Sequence, residues 1–236
     1  LEGKAVHNVQ NAMCASAMAY SLGATLEDIR HGLRTFDTSF FQAPGRMNVF
    51  DEHPFKVILD YAHNPAAVEA MCKTAAQLSV QGKRIAVLAA PGDRRDQDID
   101  EIGRLAAGNF DYYLCKADDD RRGRGFDEAP QRIRTSLLEE GVSDDTIKVI
   151  PDEQACIDHA LRMANHGDLV LIFGDDTTRS WKQIIGYDSE GHPVESGTVP
   201  VADVVDLPVL SEYHIETSDT LIRDEKGVRL AREEND

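Results

Sequence analysis

The chain has 236 residues, 42% of them hydrophobic, which is enough for one globular domain with appendages or for two small domains. Its 25 Lys and Arg residues stand against 42 Asp and Glu residues, and the resulting net charge of −17 argues against nonspecific binding to nucleic acid or to an anionic membrane. No apolar run approaches the about 18 residues that a membrane-spanning helix needs, and the first residues do not resemble a signal peptide.

Two helices are predicted in the first 36 residues. The first is rich in Ala and Met, spans residues 5–22 and ends at Gly23. Thr25, followed by two acidic residues, is typical of the start of a second helix, which runs to about Phe36. Two helices alone cannot bury their apolar faces, and the chain does not begin with Met. Both features predict that residues 1–42 end a domain whose other part is missing here.

Strands and helices alternate from residue 43 to residue 187. A hairpin comes first, with strands at residues 46–50 and 55–61. The remaining strands are predicted at residues 84–89, 112–115, 147–150 and 168–173, and the helices at residues 65–78, 97–107, 127–139, 153–165 and 177–186. Short apolar strands that alternate with amphipathic helices predict a doubly wound α/β domain, with a mostly parallel sheet covered on both faces.

The periodic pattern stops at Asp188. Residues 188–236 are predicted to form an acidic extended tail with one hairpin, at residues 221–230. The cysteines lie far apart, without metal-ligand spacing and each in an apolar context, so we expect buried free thiols in a reducing cytoplasm. They are Cys14, Cys72, Cys115 and Cys156.

Two short clusters in the first 46 residues combine side chains that can bind a nucleotide. His7 and Asn11 lie four residues apart on one helix face, and an Asn amide can both donate to and accept from the edge of an adenine. Arg46 follows the Pro44-Gly45 turn, where a guanidinium can hold a phosphate by a forked pair of hydrogen bonds. The alternatives are that Asn8 caps the helix and that His7 and Arg46 are solvated surface side chains.

A third cluster follows the second strand of the hairpin. Asp60 ends that strand, His63 and Asn64 lie in the next loop, and Pro65 begins a helix. Loops at the carboxyl ends of parallel strands are where open α/β sheets bind ligands, and a carboxylate there can accept from ribose hydroxyls. Capping of the helix by Asn64 is the alternative, and it leaves Asp60 and His63 unexplained.

In order and spacing, the three clusters resemble the Mur ligase family, through HNxxN, PGR and a strand that ends in DYAHNP. The resemblance implies that the first cluster ends the family's central ATPase domain and that the others belong to its C-terminal, Rossmann-like domain. It implies a ligase in which ATP phosphorylates a carboxylate and an amine then attacks the acyl phosphate. It also implies a nucleotide site. In that site His7 and Asn11 border the adenine, and Arg46 reaches the phosphates. Asp60 binds the ribose, with His63 and Asn64 beside it.

Longer runs are similar to the cyanophycin synthetases among these ligases, namely PGRMNVFDEHPFKVILDYAHNPAAV, APGDRRDQDI, DDDRRGRG and GDDTTRSWKQII. This resemblance implies addition of arginine to the aspartate side chains of a poly-aspartate backbone, with ATP and Mg²⁺, by a cytoplasmic homo-oligomer. The chain contains neither a GxxxxGK[ST] nor a GxGxxG loop. We therefore expect the phosphate-binding loop and the metal ligands to lie mainly in a missing N-terminal part, and this chain alone to be inactive.

Three further family-like loops follow predicted strands, so they are expected to converge at one edge of the sheet. In the first loop, Asp93 and Arg94 are the candidate catalytic residues, since Arg94 can neutralise an acyl phosphate or hold the α-carboxylate of arginine. A guanidinium pairs well with a forked carboxylate, and the candidate substrate-binding residues are Asp118, Asp119, Asp120, Asp175 and Asp176. The alternatives are ion pairs of the first three with Arg121, Arg122 and Arg124, and capping of the last helix by Asp176.

Two other functions stay open at this point. One keeps the Mur-type ligase and changes its acceptor to a peptidoglycan precursor or to β-aspartyl-arginine units. The other is a noncatalytic module that binds a nucleotide or an amino acid. Trp181 lies in an amphipathic helix and is predicted to serve in packing.

Overall fold

The structure, a computed structural model, describes residues 4–189, 221–224 and 227–230. Strands β7 (Leu221–Asp224) and β8 (Gly227–Leu230) pair antiparallel, which confirms the hairpin predicted in the tail. The rest of the predicted extended tail, beyond residue 189, lies outside the described residues. No helix in the described part of the chain is long and apolar enough to cross a membrane.

Helices α1 (Val6–Ser21) and α2 (Leu26–Thr35) begin the chain. Thr25 caps α2 in a capping box, because its hydroxyl accepts from the Asp28 amide at 3.2 Å while the Asp28 carboxylate accepts from the Thr25 amide at 3.1 Å. Neither helix buries any residue. Large apolar side chains of both helices are therefore exposed, as the sequence predicts for helices without a partner domain.

Cys14 lies on this uncovered part of α1 and is exposed, so the prediction that all four thiols are buried is wrong for Cys14. Its apolar neighbours in sequence do not bury it, because no described element packs over α1 at that point. The other three cysteines are buried and free, as predicted.

A six-stranded sheet forms the centre of the remaining chain, in the order β1-β2-β6-β3-β4-β5. Only β1 runs antiparallel, to β2, and the other neighbours are parallel. The order confirms the predicted doubly wound, mostly parallel sheet, with each strand end within two residues of its predicted position. The strands are β1 (Asn48–Phe50), β2 (Lys56–Asp60), β3 (Arg84–Leu88), β4 (Tyr112–Cys115), β5 (Ile147–Val149) and β6 (Leu169–Phe173).

Five helices cover the two faces of the sheet. They are α3 (Pro65–Gln77), α4 (Asp96–Ala106), α5 (Glu128–Glu139), α6 (Glu153–Met163) and α7 (Thr177–Ile185). The first three pack on one face and the last two on the other. Alternate residues of a strand point to opposite faces, so Ile58 of β2 contacts the first group, and Val57 and Leu59 contact the second. β6 is buried along its whole length, which fits its central place.

The segment that follows α2 packs against helix α7 through an aromatic contact. The ring of Phe40 stacks on Trp181, with centroids 5.1 Å apart and planes 2° from parallel. This contact confirms that Trp181 serves in packing. The five parallel strands all end at the same edge of the sheet, where the loops at residues 61–64, 89–95, 116–127, 150–152 and 174–176 meet.

Candidate functional site

The turn at residues 44–47 is bonded to the end of β2. Asp60 accepts a hydrogen bond from the Met47 amide at 2.8 Å, and the Tyr61 amide donates to the Gly45 carbonyl at 2.8 Å. Gly45 has a φ of 68°, and a Cβ there would lie 2.7 Å from Cγ2 of Thr177, so a side chain does not fit. Asp60 therefore holds the turn that carries Arg46.

Asp60 and Arg46 differ in their surroundings. Burial raises the pKa of Asp60 to about 6, against the opposing effects of the Met47 amide and of the nearby Arg46 and His63 charges. Arg46 is exposed, and no described residue pairs with its guanidinium. A buried carboxylate and a free guanidinium thus lie side by side, and the guanidinium can receive an anionic group from solvent.

The loop after β2 contains the other two residues of this cluster. Asn64 accepts a hydrogen bond from the Ala67 amide at 3.0 Å and caps α3, so the capping alternative is confirmed for Asn64. His63 is partly exposed, and its Nδ1 lies 2.9 Å from the Tyr61 carbonyl oxygen. Asn64 shapes the loop, while the Nε2 side of the His63 ring has no hydrogen-bond partner among the described residues.

The first cluster lies at the start of α1. Asn11 is exposed and makes no hydrogen bond through its side chain to a described residue, and burial lowers the pKa of the half-buried His7. Asn8 does not cap α1, because the capping position is Ala5. The side-chain Nδ2 of Asn8 instead lies 3.6 Å from Sδ of Met47. The alternative in which Asn8 caps the helix is therefore wrong, and Asn8 joins α1 to the Arg46 turn.

Arg124 holds the loop that carries Asp93 and Arg94. Its guanidinium donates to the carbonyl oxygens of Gly92 at 2.8 Å and Arg94 at 2.7 Å, and it pairs with Asp96 and Glu128. The suggested pairing of Arg124 with the Asp118–Asp120 run is therefore wrong. The run of charges at 118–124 gave no indication that Arg124 folds back onto the preceding loop.

Arg94 points toward the nucleotide cluster. Its Nε donates to the His63 carbonyl at 3.3 Å, and its other two guanidinium nitrogens have no hydrogen-bond partner among the described residues. Asp93 is half-exposed, and its carboxylate lies 4.0 Å from Arg122. The structure thus brings Arg94 beside the loop after β2, while Asp93 faces the loop after β4.

All five predicted substrate-binding carboxylates have protein partners, and three of them are engaged by arginine side chains or by a helix start. Asp119 pairs with Arg179 at 2.7 Å, Asp120 pairs with Arg122 at 2.5 Å, and Asp176 caps α7 by accepting from the Arg179 amide at 2.9 Å. The ion-pair alternative is therefore confirmed for Asp120 and the capping alternative for Asp176. Arg179 had no predicted role.

Asp118 and Asp175 remain as neighbouring carboxylates. Asp118 is largely buried, and burial raises its pKa; the Lys116 ammonium, 3.4 Å away, opposes this effect, while Asp175 and Glu153 add to it. The Asp175 carboxylate accepts only from the Asp119 amide, at 2.9 Å, among the described residues. The two carboxylates lie close enough to affect each other's ionisation, and together they can bind a cation.

Glu153, a residue that sequence reasoning missed, lies beneath these loops. Its carboxylate is fully buried and accepts from the Asp175 amide at 2.8 Å and the Ser180 hydroxyl at 3.1 Å. Lys116, also fully buried, lies 3.4 Å away, and Arg179 lies 2.6 Å away. Lys116 directly follows the apolar strand β4. A lysine at such a position is buried only with an acidic partner, and this was the sequence feature that could have indicated Glu153.

One group of acids brings its oxygens close enough for a metal ion, since ligand atoms of Asp119, Glu153 and Asp175 all lie within 4.8 Å of one another. Two of these carboxylates already pair with Arg179, and Glu153 also pairs with Lys116. The cationic partners would repel Mg²⁺, which also favours a nearly complete oxygen shell. These residues do not fit a magnesium site.

The sheet edge is thus divided by charge. The ends of β2 and β3 carry Arg46 and Arg94, whose terminal guanidinium nitrogens have no hydrogen-bond partner among the described residues. The ends of β4 and β6 carry Asp118 and Asp175. The half with the two arginines can bind an anionic ligand, and the half with the two aspartates can bind a cationic one, in both cases through charge-assisted hydrogen bonds.

Comparison with known proteins gives a family match over residues 45–175, to "Mur ligase, glutamate ligase domain". The chain is 41% identical to a cyanophycin synthetase of Crocosphaera subtropica over 178 residues, which are 75% of this chain and 20% of that protein. It is 34% identical over 163 residues to a UDP-N-acetylmuramoyl-L-alanyl-D-glutamate--2,6-diaminopimelate ligase of Aquifex aeolicus, over 68% of this chain and 31% of that protein. The chain spans about a fifth of the length of the cyanophycin synthetases it matches.

Solved structures share the fold. The E. coli FolC in complex with DHPP and ADP matches with a TM-score of 0.58 at 23% identity, over 74% of this chain and 38% of that one. The MurC of Thermotoga maritima matches with a TM-score of 0.55 at 19% identity, over 76% of this chain and 37% of that one. Both likenesses concern the architecture of the sheet and its helices.

Proposed function

Because the chain belongs to the Mur ligase family, we propose that it is the C-terminal portion of an ATP-dependent ligase that forms amide bonds. In this proposal residues 43–187 are the C-terminal α/β domain, residues 1–42 end the central ATPase domain, and residues 188–236 are a tail. The ligase joins arginine to aspartate side-chain carboxylates of a poly-aspartate backbone, through an acyl phosphate. It acts in the cytoplasm as a homo-oligomer.

The observation that carries this proposal is the division of the sheet edge by charge. A ligase of this kind must hold phosphates and an incoming amino acid side by side, and an arginine substrate brings a cationic side chain. The guanidinium groups of Arg46 and Arg94 suit the first task, and the largely buried Asp118 and the partly exposed Asp175 suit the second. The 41% identity to a cyanophycin synthetase favours arginine.

In the nucleotide half, Arg46 pairs with the phosphates and Asp60 accepts from the ribose hydroxyls, with His63 beside it. Asn64 acts through the shape of its loop, and the adenine lies against His7 and Asn11. ATP, when bound, supplies the phosphoryl group that activates the substrate carboxylate. Mg²⁺ is held mainly by residues of a preceding N-terminal part, since the acidic group near Glu153, among the described residues, does not fit it.

In the substrate half, Asp118 and Asp175 bind the guanidinium of arginine by charge-assisted hydrogen bonds. Asp119, Asp120 and Asp176 shape the two loops through their own partners. The α-amine is thereby held about 3 Å from the carbon it attacks, and this positioning lowers the barrier. Arg94, beside the loop after β2, neutralises the activated carboxylate, and Asp93, half-exposed and next to it in the chain, is the second catalytic candidate.

A second candidate is a Mur-type ligase that uses another acceptor, either a peptidoglycan precursor or β-aspartyl-arginine units. The 34% identity to the diaminopimelate ligase of Aquifex aeolicus favours the first of these. A noncatalytic module that binds a nucleotide or an amino acid shares the same site geometry, and only an activity measurement separates it from the ligases.

The test is ATP-dependent incorporation of labelled arginine by the whole protein that contains this chain, with a short aspartate–arginine primer and free aspartate. Substrates are omitted one at a time. An Arg46→Ala variant is run beside Arg162→Ala, which replaces an exposed arginine of α6 that pairs with Asp158. We expect incorporation that needs both amino acids, is lost in Arg46→Ala and is kept in Arg162→Ala. Incorporation from dipeptide units alone, or none at all, would overturn the assignment.

A further inference from the structure

We propose that Glu153 is a positioning residue that sets the two carboxylates of the arginine site by tying together the loops after β4, β5 and β6. The inference rests on the proposed function, since it concerns the same substrate half of the site. Glu153 does not face solvent, and in this account it acts on the substrate only through its neighbours.

The contacts of Glu153 reach all three loops. Glu153 itself begins α6, directly after the loop that follows β5. It accepts from the amides of Asp175 at 2.8 Å and Asp176 at 3.4 Å, in the loop after β6, and it pairs with Lys116 at the end of β4. One carboxylate thereby fixes the backbone on which Asp175 is carried.

The connection continues from Asp175 to the loop after β4. The Asp175 carboxylate accepts from the amide of Asp119, and Asp119 is next to Asp118 in the chain. Lys116 lies 3.4 Å from both Asp118 and Glu153, so the same ammonium orients the Asp118 side chain. Moving Glu153 would therefore displace both members of the proposed guanidinium-binding pair.

The balance of charge around Glu153 also supports a cationic ligand at this site. Asp118, Asp119, Asp175 and Glu153 supply four carboxylates, against which the described residues place two cations, Lys116 and Arg179. Burial would raise the pKa of Glu153, but Lys116, the two loop amides and Arg179 hold it below its ordinary value, so Glu153 is ionised. The four carboxylates thus outnumber the two cations, and this imbalance favours a cationic ligand at Asp118 and Asp175.

Asp168 offers a matched control at the opposite edge of the sheet. It is also buried, and its carboxylate accepts from the amides of Lys83 and Asn165, both at 2.7 Å. Asp168→Asn therefore removes a charge of the same structural kind, far from the arginine site. It controls for the loss of a buried carboxylate that accepts from loop amides, without touching the loops around Asp175.

The experiment measures the steady-state constants of the whole protein for arginine and for ATP. With Glu153→Gln we expect the KM for arginine to rise about 10- to 100-fold, as for the loss of a hydrogen bond to a buried charge, with the KM for ATP changed less than about 3-fold. Asp168→Asn is expected to leave both constants unchanged. A purely structural role would move both constants together, or neither.

Two further variants keep the result decisive. If Glu153→Gln does not fold, Lys116→Met combined with Glu153→Gln removes both buried charges, and it should fold while still raising the KM for arginine. Asp118→Asn tests the arginine site directly. An unchanged arginine KM in the Glu153 variants with a raised one in Asp118→Asn would refute the positioning role alone. An unchanged arginine KM in all of them would refute the arginine site as well.

Discussion

Replacing Asp60 by Asn is expected to stabilise the protein at neutral pH and to weaken its use of ATP. Asp60 is a buried carboxylate, and burial raises its pKa from 3.8 to about 6. Asn has the same shape, remains neutral, and can still accept the hydrogen bond from the Met47 amide through its own oxygen. The substitution therefore removes the charge while keeping the turn that carries Arg46.

The magnitude follows from the difference between the two pKa values. A difference of about two pH units corresponds to about 3 kcal/mol of unfolding free energy at pH 7, where the buried group is mostly ionised. The attraction to Arg46 is already included in this difference, but Asn must bury its own amide group, so we expect a net gain of about 1–2 kcal/mol. For a chain of this length the melting temperature should rise by about 2–8 °C.

The pH dependence gives the sharper result. Between about pH 4 and pH 7 the folded state of the unchanged protein binds more protons than the unfolded state, so Asp60 makes stability fall as the pH rises. The stability that protonated Asp60 contributes to the folded state is fully present below about pH 4 and is lost as the pH rises through about 6. The variant lacks this dependence, so the two unfolding free energies should separate between about pH 4 and pH 6 and run parallel above about pH 7.

The assay is urea unfolding of the 236-residue chain at several pH values, with the KM for ATP of the whole protein measured in parallel. Asp111→Asn serves as the control for a carboxylate that also bonds a backbone amide, that of Arg84, but is exposed. A variant that is less stable than the unchanged chain by more than about 1 kcal/mol at pH 7 would refute the reasoning. It would mean that the ionised carboxylate stabilises the turn more than burial disfavours it.

Four other substitutions have defined outcomes. Arg124→Ala should lower the unfolding free energy by about 2–4 kcal/mol, because it removes two bonds to backbone carbonyls as well as two ion pairs, and denaturant unfolding measures this. Arg46→Ala should raise the KM for ATP at least about tenfold with stability unchanged within about 0.5 kcal/mol, since its side chain is exposed. Asp118→Asn should raise the KM for arginine about 10- to 100-fold, whereas Asp120→Asn, exposed and paired with Arg122, should change it less than about 3-fold. A similar effect of the last two substitutions would contradict the assignment of the guanidinium site.

Local sequence patterns were sufficient for the elements of this fold. The capping box at Thr25 and the Asn64-Pro65 helix start both depend on residues within four positions of one another, and both were predicted. Strand and helix periodicity likewise depends on neighbours in sequence. The hydrophobic face of a strand and the start of a helix can be read without knowledge of the tertiary structure.

The parts that were missed depend on contacts between distant residues. Glu153 is 37 residues from Lys116 in sequence and 22 from Asp175, and no spacing rule connects them. The direction in which Arg124 folds back depends on how closely the loops approach, since a Cβ on Gly92 would lie only 2.0 Å from the Arg121 carbonyl oxygen. Cys14 was predicted to be buried because its neighbours are apolar, but burial requires a partner surface that local sequence does not describe.

The most direct test of the account compares arginine with citrulline, which has nearly the same shape but a neutral side chain. The measured quantity is the ratio of kcat/KM for the two amino acids, in the unchanged protein and in Asp118→Asn. The account predicts a ratio of at least about 100 in the unchanged protein, falling about tenfold or more in the variant, since the lost carboxylate recognises the charge. An equal ratio in both proteins would contradict the claim that Asp118 and Asp175 bind the guanidinium of the substrate.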